Sequence, residues 1–299
     1  MPQLVCPQSR RPLLPSEDGA LLLGGAVPYP ILDGVPDLLI SEEARDVETD
    51  FVNPQWRDSL IEELQTDEMF RRIRVMAEGE VERLGRKLDF ADIGCGRLLS
   101  ERGRYYRIIE RAARSYVGVE PSWTMIRHVP RANLERLPRA IIVRSVGEDL
   151  PVAPASVDVV ISLSALDHCA DAGRALSLAR EALRPGGLLV VTLQNRASWQ
   201  RRLAKALAPR YVKRRDAHDH HHQFFTCGSV GAALSDAGFS GVEIIEQGFM
   251  TTPVLGRVAS KVVGLMSKER GARLMRSFDV KLSRLAPGYG AAMLVTARS

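Results

Sequence analysis

Between residues 88 and 250 the chain alternates short apolar runs with stretches of helical spacing. The runs at 88–93, 116–119, 140–143, 157–163, 188–193 and 242–246 hold few polar positions, as strands buried on both faces do. Between them, Tyr105, Ile108, Ile109 and Ala112, then Ala175, Leu176, Ala179, Ala182 and Leu183, then Leu234 and Ala237 recur at helical intervals. Arg184-Pro185-Gly186-Gly187 predicts a sharp stop between a helix and the next strand. A last apolar run, Ala291–Ala297, predicts a final strand. Strand and helix in such alternation require an α/β fold built on a doubly wound, mostly parallel sheet.

The flanking segments have other patterns. Residues 1–40 contain two proline-bounded pieces, 6–13 and 29–39, joined by an apolar segment with glycine, and predict a small separate module. Residues 41–87 are charged with helical spacing, as at Leu60, Leu64, Ile73, Ala77, Val81 and Leu84, and predict a helical lid or linker. Trp56 and Phe70 there suit core anchors better than ligand platforms. Residues 88–250 form the core domain, 251–288 a helical cap inserted over the substrate side, and 289–299 the last core strand. Val254, Leu255, Val258, Val262, Leu265 and Met266 mark one face of a helix in the cap. The sharper alternative for that helix is peripheral contact with a membrane.

Leu88–Gly96 reads as a buried strand running into a glycine turn, followed by helix formers from Leu98 to Ala113. Glycine lets main-chain N–H groups approach a ligand closely, because no Cβ intervenes. The second strand, Val117-Gly118-Val119, ends in Glu120. An acid at that place in an open α/β sheet accepts hydrogen bonds from the two hydroxyls of a ribose. Together the turn and the acid point to a cofactor containing adenosine.

Composition narrows the setting. The 299 residues suffice for one α/β domain with additions, and no uninterrupted apolar run is long enough to span a bilayer. The proline-rich start lacks the layout of a signal peptide. Cys6, Cys95, Cys169 and Cys227 form no C-x-x-C pair, so neither a disulfide framework nor a metal site is expected, and a cytoplasmic location fits best. Net charge is +5, unevenly spread: residues 1–50 are acidic and the remainder basic. A basic body suits an anionic substrate, a membrane surface or nucleic acid, although arginine-rich coding bias gives the same composition.

With these residues in view, the chain resembles the class I S-adenosylmethionine-dependent methyltransferases, in particular the bacterial small-molecule group. Asp92-Ile93-Gly94-Cys95-Gly96 resembles their D-x-G-x-G motif and Gly118-Val119-Glu120-Pro121-Ser122 the second motif. Gly147-Glu148-Asp149-Leu150-Pro151 resembles the segment beside adenine, Val157–Ser162 the fourth strand, and Leu183–Leu189 the turn before the fifth. The resemblance implies a seven-stranded, Rossmann-like sheet and S-adenosyl-L-methionine as cofactor. It implies cofactor binding by Asp92, Gly94, Gly96, Glu120, Gly147, Glu148 and Ser162, with Ile93, Trp123 and Met125 as flanking or packing residues. Leu98 departs from a usual third glycine and Val146 from a usual aspartate, which leaves adenine to main-chain groups and Glu148. A nicotinamide dehydrogenase is disfavoured, because the full G-x-G-x-x-G run is absent.

Residues 1–40 resemble the small zinc-ribbon activators of tRNA and protein methyltransferases, through Cys6-Pro7-Gln8-Ser9 and Tyr29-Pro30-Ile31-Leu32-Asp33-Gly34-Val35-Pro36. Ser9 stands where a second cysteine belongs, so the expectation is a metal-free ribbon packed on the main domain.

The acceptor is expected at Ser162–His168, after the fourth strand. No Asn/Asp-Pro-Pro-Tyr/Phe motif of amino-group methylases and no Pro-Cys nucleophile occurs there. His168 is the candidate base for a hydroxyl acceptor, its competing role being a helix cap or a main-chain contact. Ser164, Asp167 and His222 are the candidate substrate contacts. His222 belongs to a cluster with His218, Asp219, His220 and His221, for which acceptor contact, a solvated loop and a metal site are the readings. Arg201, Arg202, Lys205, Arg210, Lys213, Arg214 and Arg215 oppose Trp199, Leu203 and Leu207 at helical spacing. That pattern suits a solvated helix face or an anion- or lipid-binding patch.

The sequence therefore predicts methyl transfer to a small-molecule or lipid-linked acceptor, at oxygen, with peripheral membrane contact as an option. The alternatives are an RNA methyltransferase, disfavoured by sparse stacking aromatics, and a non-catalytic scaffold.

Overall fold

The computed structural model describes residues 3–24, 27–40, 60–96, 99, 104–210, 212–213, 223–249, 261 and 265–299. A small antiparallel sheet opens the chain, with strands β1 (Leu14–Pro15), β2 (Leu21–Gly24), β3 (Val27–Leu32) and β4 (Val35–Pro36) in that order. Helix α1 (Leu60–Leu84) follows. Then come β5 (Leu88–Ile93), α2 (Arg104–Ala112), β6 (Ala113–Val119), α3 (Trp123–His128), α4 (Arg131–Arg136) and β7 (Ala140–Val143). The second half comprises β8 (Val157–Leu163), α5 (Ala172–Ala182), β9 (Leu183–Gln194), α6 (Trp199–Leu207), α7 (Cys227–Asp236), β10 (Ser240–Gln247), α8 (Lys268–Leu285) and β11 (Ala292–Arg298).

The main sheet runs β10-β11-β9-β8-β5-β6-β7. Strands β5 to β9 are parallel and β11 is antiparallel to both its neighbours. The chain starts centrally at β5, moves out to β7, then returns to β8 on the other side of β5. That reversal opens a crevice at the carboxyl ends of β5 and β8, where ligands of such sheets bind. Both faces are covered, as the continuous apolar runs require. Phe70, Ile73 and Ala77 of α1 and Tyr105, Ile108 and Ile109 of α2 pack with Phe90 and Tyr116 on one face. Ala175, Leu176 and Ala179 of α5 and Val230 and Leu234 of α7 pack with Ala91, Val117 and Val160 on the other.

Two boundaries differ from the sequence pattern in ways that change the reading of the chain. Strand β6 begins at Ala113 rather than 116. The Arg184-Pro185-Gly186-Gly187 turn lies inside β9 and not ahead of it, because Leu183 already pairs with Val157 before pairing resumes at Val159 and Leu188. The four residues bulge from the ladder with Gly186 at φ +72°. Helix α2 is described only from Arg104, so the expected start near Leu98 lies outside the described residues.

At the amino ends of the strands, Asp89 and Asp158 are buried among arginines. Arg86 bonds both oxygens of Asp158, Arg114 grips Asp89, and Arg184 reaches Asp89 at 3.0 Å and Asp158 at 2.8 Å. Burial pushes the Asp89 carboxyl up, but the Arg114 and Ser115 hydrogen bonds outweigh it and hold it down at about 2. This charge cluster ties β5, β6, β8 and β9 together at the end of the sheet away from the crevice.

The N-terminal sheet docks beside β7. Arg10 donates to the carbonyls of Leu150 and Val152, and Cys6, Leu13, Tyr29 and Leu38 join the core on that side. The Cys6 Sγ lies 3.2 Å from the Tyr29 hydroxyl. Helix α8 lies against α1 through an ion pair between Arg276 and Glu68. Of the apolar cap face read from sequence, Leu265 and Met266 are exposed, and the rest lies outside the described residues.

Candidate active site

Strand β5 delivers Asp92 to the crevice, and Gly94 turns the chain there at φ +78°, a conformation that favours glycine. The N–H groups of Gly94 and Cys95 both donate to the carbonyl of Val119, at 2.8 and 3.2 Å, and thereby fix the turn to the end of β6. Glu120 follows directly. One of its oxygens accepts from Gly96 N at 3.0 Å and the other from Ser122 N at 3.1 Å. A Cβ on Gly96 would stand 2.9 Å from the Glu120 carboxylate and 2.7 Å from the Cβ of Met125. Glycine at 96 is therefore what permits the acid and the turn to meet.

The electrostatics of this pair are unusual. Burial pushes the Glu120 carboxyl up to about 7, against the pull of its two N–H donors. Burial likewise lifts Asp92 to about 6. Asp92 is held by two tyrosines, Tyr116 at 2.6 Å and Tyr105 at 2.8 Å, both donating to the same oxygen, Oδ2. The other oxygen, Oδ1, is buried and accepts no hydrogen bond among the described residues. A buried carboxylate oxygen left in this way costs free energy that a cationic or N–H partner would recover.

The Ser162 hydroxyl, at the end of β8, is the second buried polar atom of the crevice without a hydrogen-bond partner among the described residues. Ser164 adopts φ +55°, and its hydroxyl lies 3.4 Å from that of Thr192 on β9. A short turn, Leu166–His168, comes next, with Asp167 buried and His168 half-buried. Gln223 closes on it, donating from N to the Asp167 carbonyl and from Nε2 to the Ala170 carbonyl.

The crevice thus brings together Asp92, Gly94, Gly96 and Glu120 on one side and Ser162, Ser164, Asp167 and His168 on the other. Gly147 is packed against Ile93, Cys169 and Ala175, and would not accept a Cβ without movement. Glu148 points its carboxylate to Ala170 N, at 2.6 Å, and to Asp171 N, so it joins its turn to the start of α5. His222, with the remainder of the histidine cluster, lies outside the described residues. Among the described residues no cluster of His, Cys, Asp and Glu has the make-up of a metal site.

Two contributors, a tyrosine pair and an arginine, were not legible as site residues in the sequence. Tyr105 and Tyr116 read as apolar positions of a helix and a strand. The signal was there in part, since a buried tyrosine hydroxyl needs a partner and Asp92 is two residues from the turn. Arg144 is the other. Its Nε donates to the Pro121 carbonyl and its Nη1 pairs with Asp37 of the N-terminal module, while its guanidinium lies 5.2 Å from the Trp123 ring centre. The module at the start of the chain is thereby coupled to the loop that follows Glu120.

Residues 91–191, which carry this crevice, match the family model described as "Methyltransferase domain". This segment is an S-adenosylmethionine-dependent methyltransferase domain. Relatives of the methyltransferase domain include the malonyl-[acyl-carrier protein] O-methyltransferase of Geobacter sulfurreducens. It is 31% identical over 117 residues, covering 39% of this chain and 44% of that one. A Mycobacterium tuberculosis protein named "Probable S-adenosylmethionine-dependent methyltransferase Rv3030" is 27% identical over 170 residues, 57% of this chain and 55% of that one. The chain spans about half the length of these relatives. Its fold is similar to that of the YcgJ protein from Bacillus subtilis, with a TM-score of 0.53 at 14% identity, covering 78% of this chain and 98% of that one.

The crevice fits the cofactor of this domain class on its own geometry. The Glu120 carboxylate keeps lone pairs for a ribose diol beyond its two N–H bonds. Asp92 Oδ1 would answer the amino group of the methionine part.

Proposed function

We propose that this protein transfers a methyl group from S-adenosyl-L-methionine to a hydroxyl of a small-molecule or lipid-linked acceptor. The observation that carries the reading is the meeting of Glu120 with the glycine turn at Gly96, inside a segment matching a methyltransferase domain. Bound there, the cofactor supplies a methyl group activated on a sulfonium, so the protein's task is chiefly alignment. Glu120 holds the ribose, and Asp92 the amino group. Ser162 and Ser164 line the crevice opposite, where the acceptor would enter along the line of displacement.

His168 accepts the hydroxyl proton as the new oxygen–carbon bond forms, and Asp167 and Ser164 bind the acceptor. The similarity to the Geobacter malonyl-[acyl-carrier protein] O-methyltransferase supports oxygen as the methylated atom. The test is mass-spectrometric detection of a methyl adduct across hydroxyl- and carboxyl-bearing acceptors, with wild type and His168→Ala compared. Product from wild type, and turnover at least tenfold lower in a His168→Ala variant that still binds S-adenosylhomocysteine, is the expected result. Equal turnover by the two would remove His168 from the mechanism.

A further inference from the structure

Arg144 directly follows the last residue of β7, Val143, whose carbonyl accepts from Glu120 N at 3.1 Å. Only 6% of its surface is exposed, although it carries a charge. A charge kept out of water needs partners that offset its desolvation. The N-terminal module holds its main chain: Arg144 N donates to the Pro36 carbonyl at 2.9 Å, and Leu38 N to the Arg144 carbonyl at 2.8 Å. The side chain then joins two parts of the fold. Its Nη1 pairs with Asp37 at 3.1 Å, and its Nε donates to the Pro121 carbonyl at 2.9 Å. A planar guanidinium with several fixed donors suits such a bridge, because one contact aims the other.

The Pro121 carbonyl shares one peptide group with the N–H of Ser122, and that N–H donates to Glu120 Oε1 at 3.1 Å. A peptide group is planar, so a contact that fixes its carbonyl also fixes the direction of its N–H. The proline ring locks φ at 121. The freedom left to this peptide is rotation about the bonds on either side of it, and the guanidinium restrains that rotation. Bonds in such a series also polarise one another, which strengthens the N–H as a donor to the carboxylate. We infer that Arg144, aimed by Asp37, is a positioning residue for the cofactor: it orients the Pro121–Ser122 peptide and, through it, the Glu120 carboxylate. The inference rests on the proposed ribose-holding role of Glu120. Its effect is confined to the adenosine end, because Asp92, assigned to the amino group, is aimed separately by Tyr105 and Tyr116.

The experiment is calorimetric titration of the full chain with S-adenosylhomocysteine and with methylthioadenosine, which keeps the ribose and adenine but lacks the amino-acid end. Wild type is compared with Arg144→Met, Asp37→Ala and Arg86→Met, each well below its thermal midpoint. Arg86→Met is the control, since it removes an ion pair with Asp158 at the end of the sheet away from the crevice. The expected result for Arg144→Met is binding weaker by about fivefold or more, by the same factor for both ligands. Asp37→Ala should show a smaller loss of the same kind. Arg86→Met should keep wild-type affinity despite a lowered midpoint. Wild-type affinity in Arg144→Met, a loss confined to S-adenosylhomocysteine, or an equal loss in Arg86→Met would each overturn the inference. Should Arg144→Met not fold, Asp37→Ala decides by the same criteria. Failure of wild type to bind either ligand would overturn the cofactor reading and this inference with it, whereas unchanged affinity in the variants overturns the inference alone.

Discussion

The Tyr116 hydroxyl donates to Asp92 Oδ2 at 2.6 Å, and both side chains are fully buried. Tyr105 donates to the same oxygen from α2, so two rings of the core aim one carboxylate. Burial lifts Asp92 to about 6 and the two hydroxyls restrain that rise. Tyr116→Phe should therefore raise the Asp92 pKa further. Cofactor affinity at neutral pH should fall about tenfold, given roughly 1.5–3 kcal/mol for a hydrogen bond to a charged group. The pH of half-maximal affinity should also move upward. Calorimetric titration of S-adenosylhomocysteine between pH 5 and pH 9 reads both quantities, and an unshifted profile would remove the tyrosine from this role.

Asp92→Asn should separate stability from binding. The folded carboxyl sits near 6 against an ordinary 3.8. Between those values the folded state holds more protons than the unfolded one, so stability falls as pH rises through the window. The asparagine carries no such penalty and can still accept both tyrosine hydroxyls. The ligand-free variant should be more stable than wild type at neutral pH by about 1–3 kcal/mol, a gain that vanishes below about pH 4. Its cofactor affinity should drop. Urea midpoints at acid and neutral pH check the first point and calorimetry the second.

Gly96→Ala tests how closely the turn and the ribose acid must approach. The new Cβ would lie 2.7 Å from Met125 Cβ and 2.9 Å from the Glu120 carboxylate, so one of them must move. Fold should survive, with stability lowered by about 1–3 kcal/mol, as for overpacking elsewhere. Cofactor binding should fall by more than the loss in stability suggests. A variant with wild-type affinity would show that Glu120 does not need its present position.

The opposite end of the sheet governs acid stability. The arginine-bonded Asp89 keeps its carboxyl at about 2, below its ordinary 3.8. Its contribution is fully present above about pH 4 and is lost as pH falls through 2. A loss of up to about 2 kcal/mol in that range is expected from this one group. In Asp89→Asn the acid limb of a plot of urea midpoint against pH should flatten. Arg184→Ala, which leaves both Asp89 and Asp158 a partner short and so raises their folded-state pKa toward the ordinary value, should lower stability at neutral pH and likewise flatten the acid limb.

Much of the core was legible in the sequence because its strands are buried on both faces and its helices are not. The run Leu88–Ile93 could only be a central strand, and every residue of it is buried. The glycine turn and the position of Glu120 at the end of its strand were legible for a related reason, since both depend on main chain and a strand end. The tyrosine clamp was not, because hydroxyl direction is set by packing between α2 and β6, which periodicity does not encode. Arg144 was missed similarly: its partners Asp37 and Pro121 lie far apart in sequence. The bulge at Arg184–Gly187 looked like a helix stop because proline and glycine mark both. Tertiary pairing with Val157 decides between them.

The cofactor-holding role proposed for Glu120 and the glycine turn rests on their contact at Gly96 N. Calorimetric binding of S-adenosylhomocysteine to wild type and Glu120→Ala tests it most directly. Binding by wild type that the substitution weakens at least tenfold, about 1.4 kcal/mol, is the predicted result. No binding by wild type, or equal affinity in the two proteins, would contradict it.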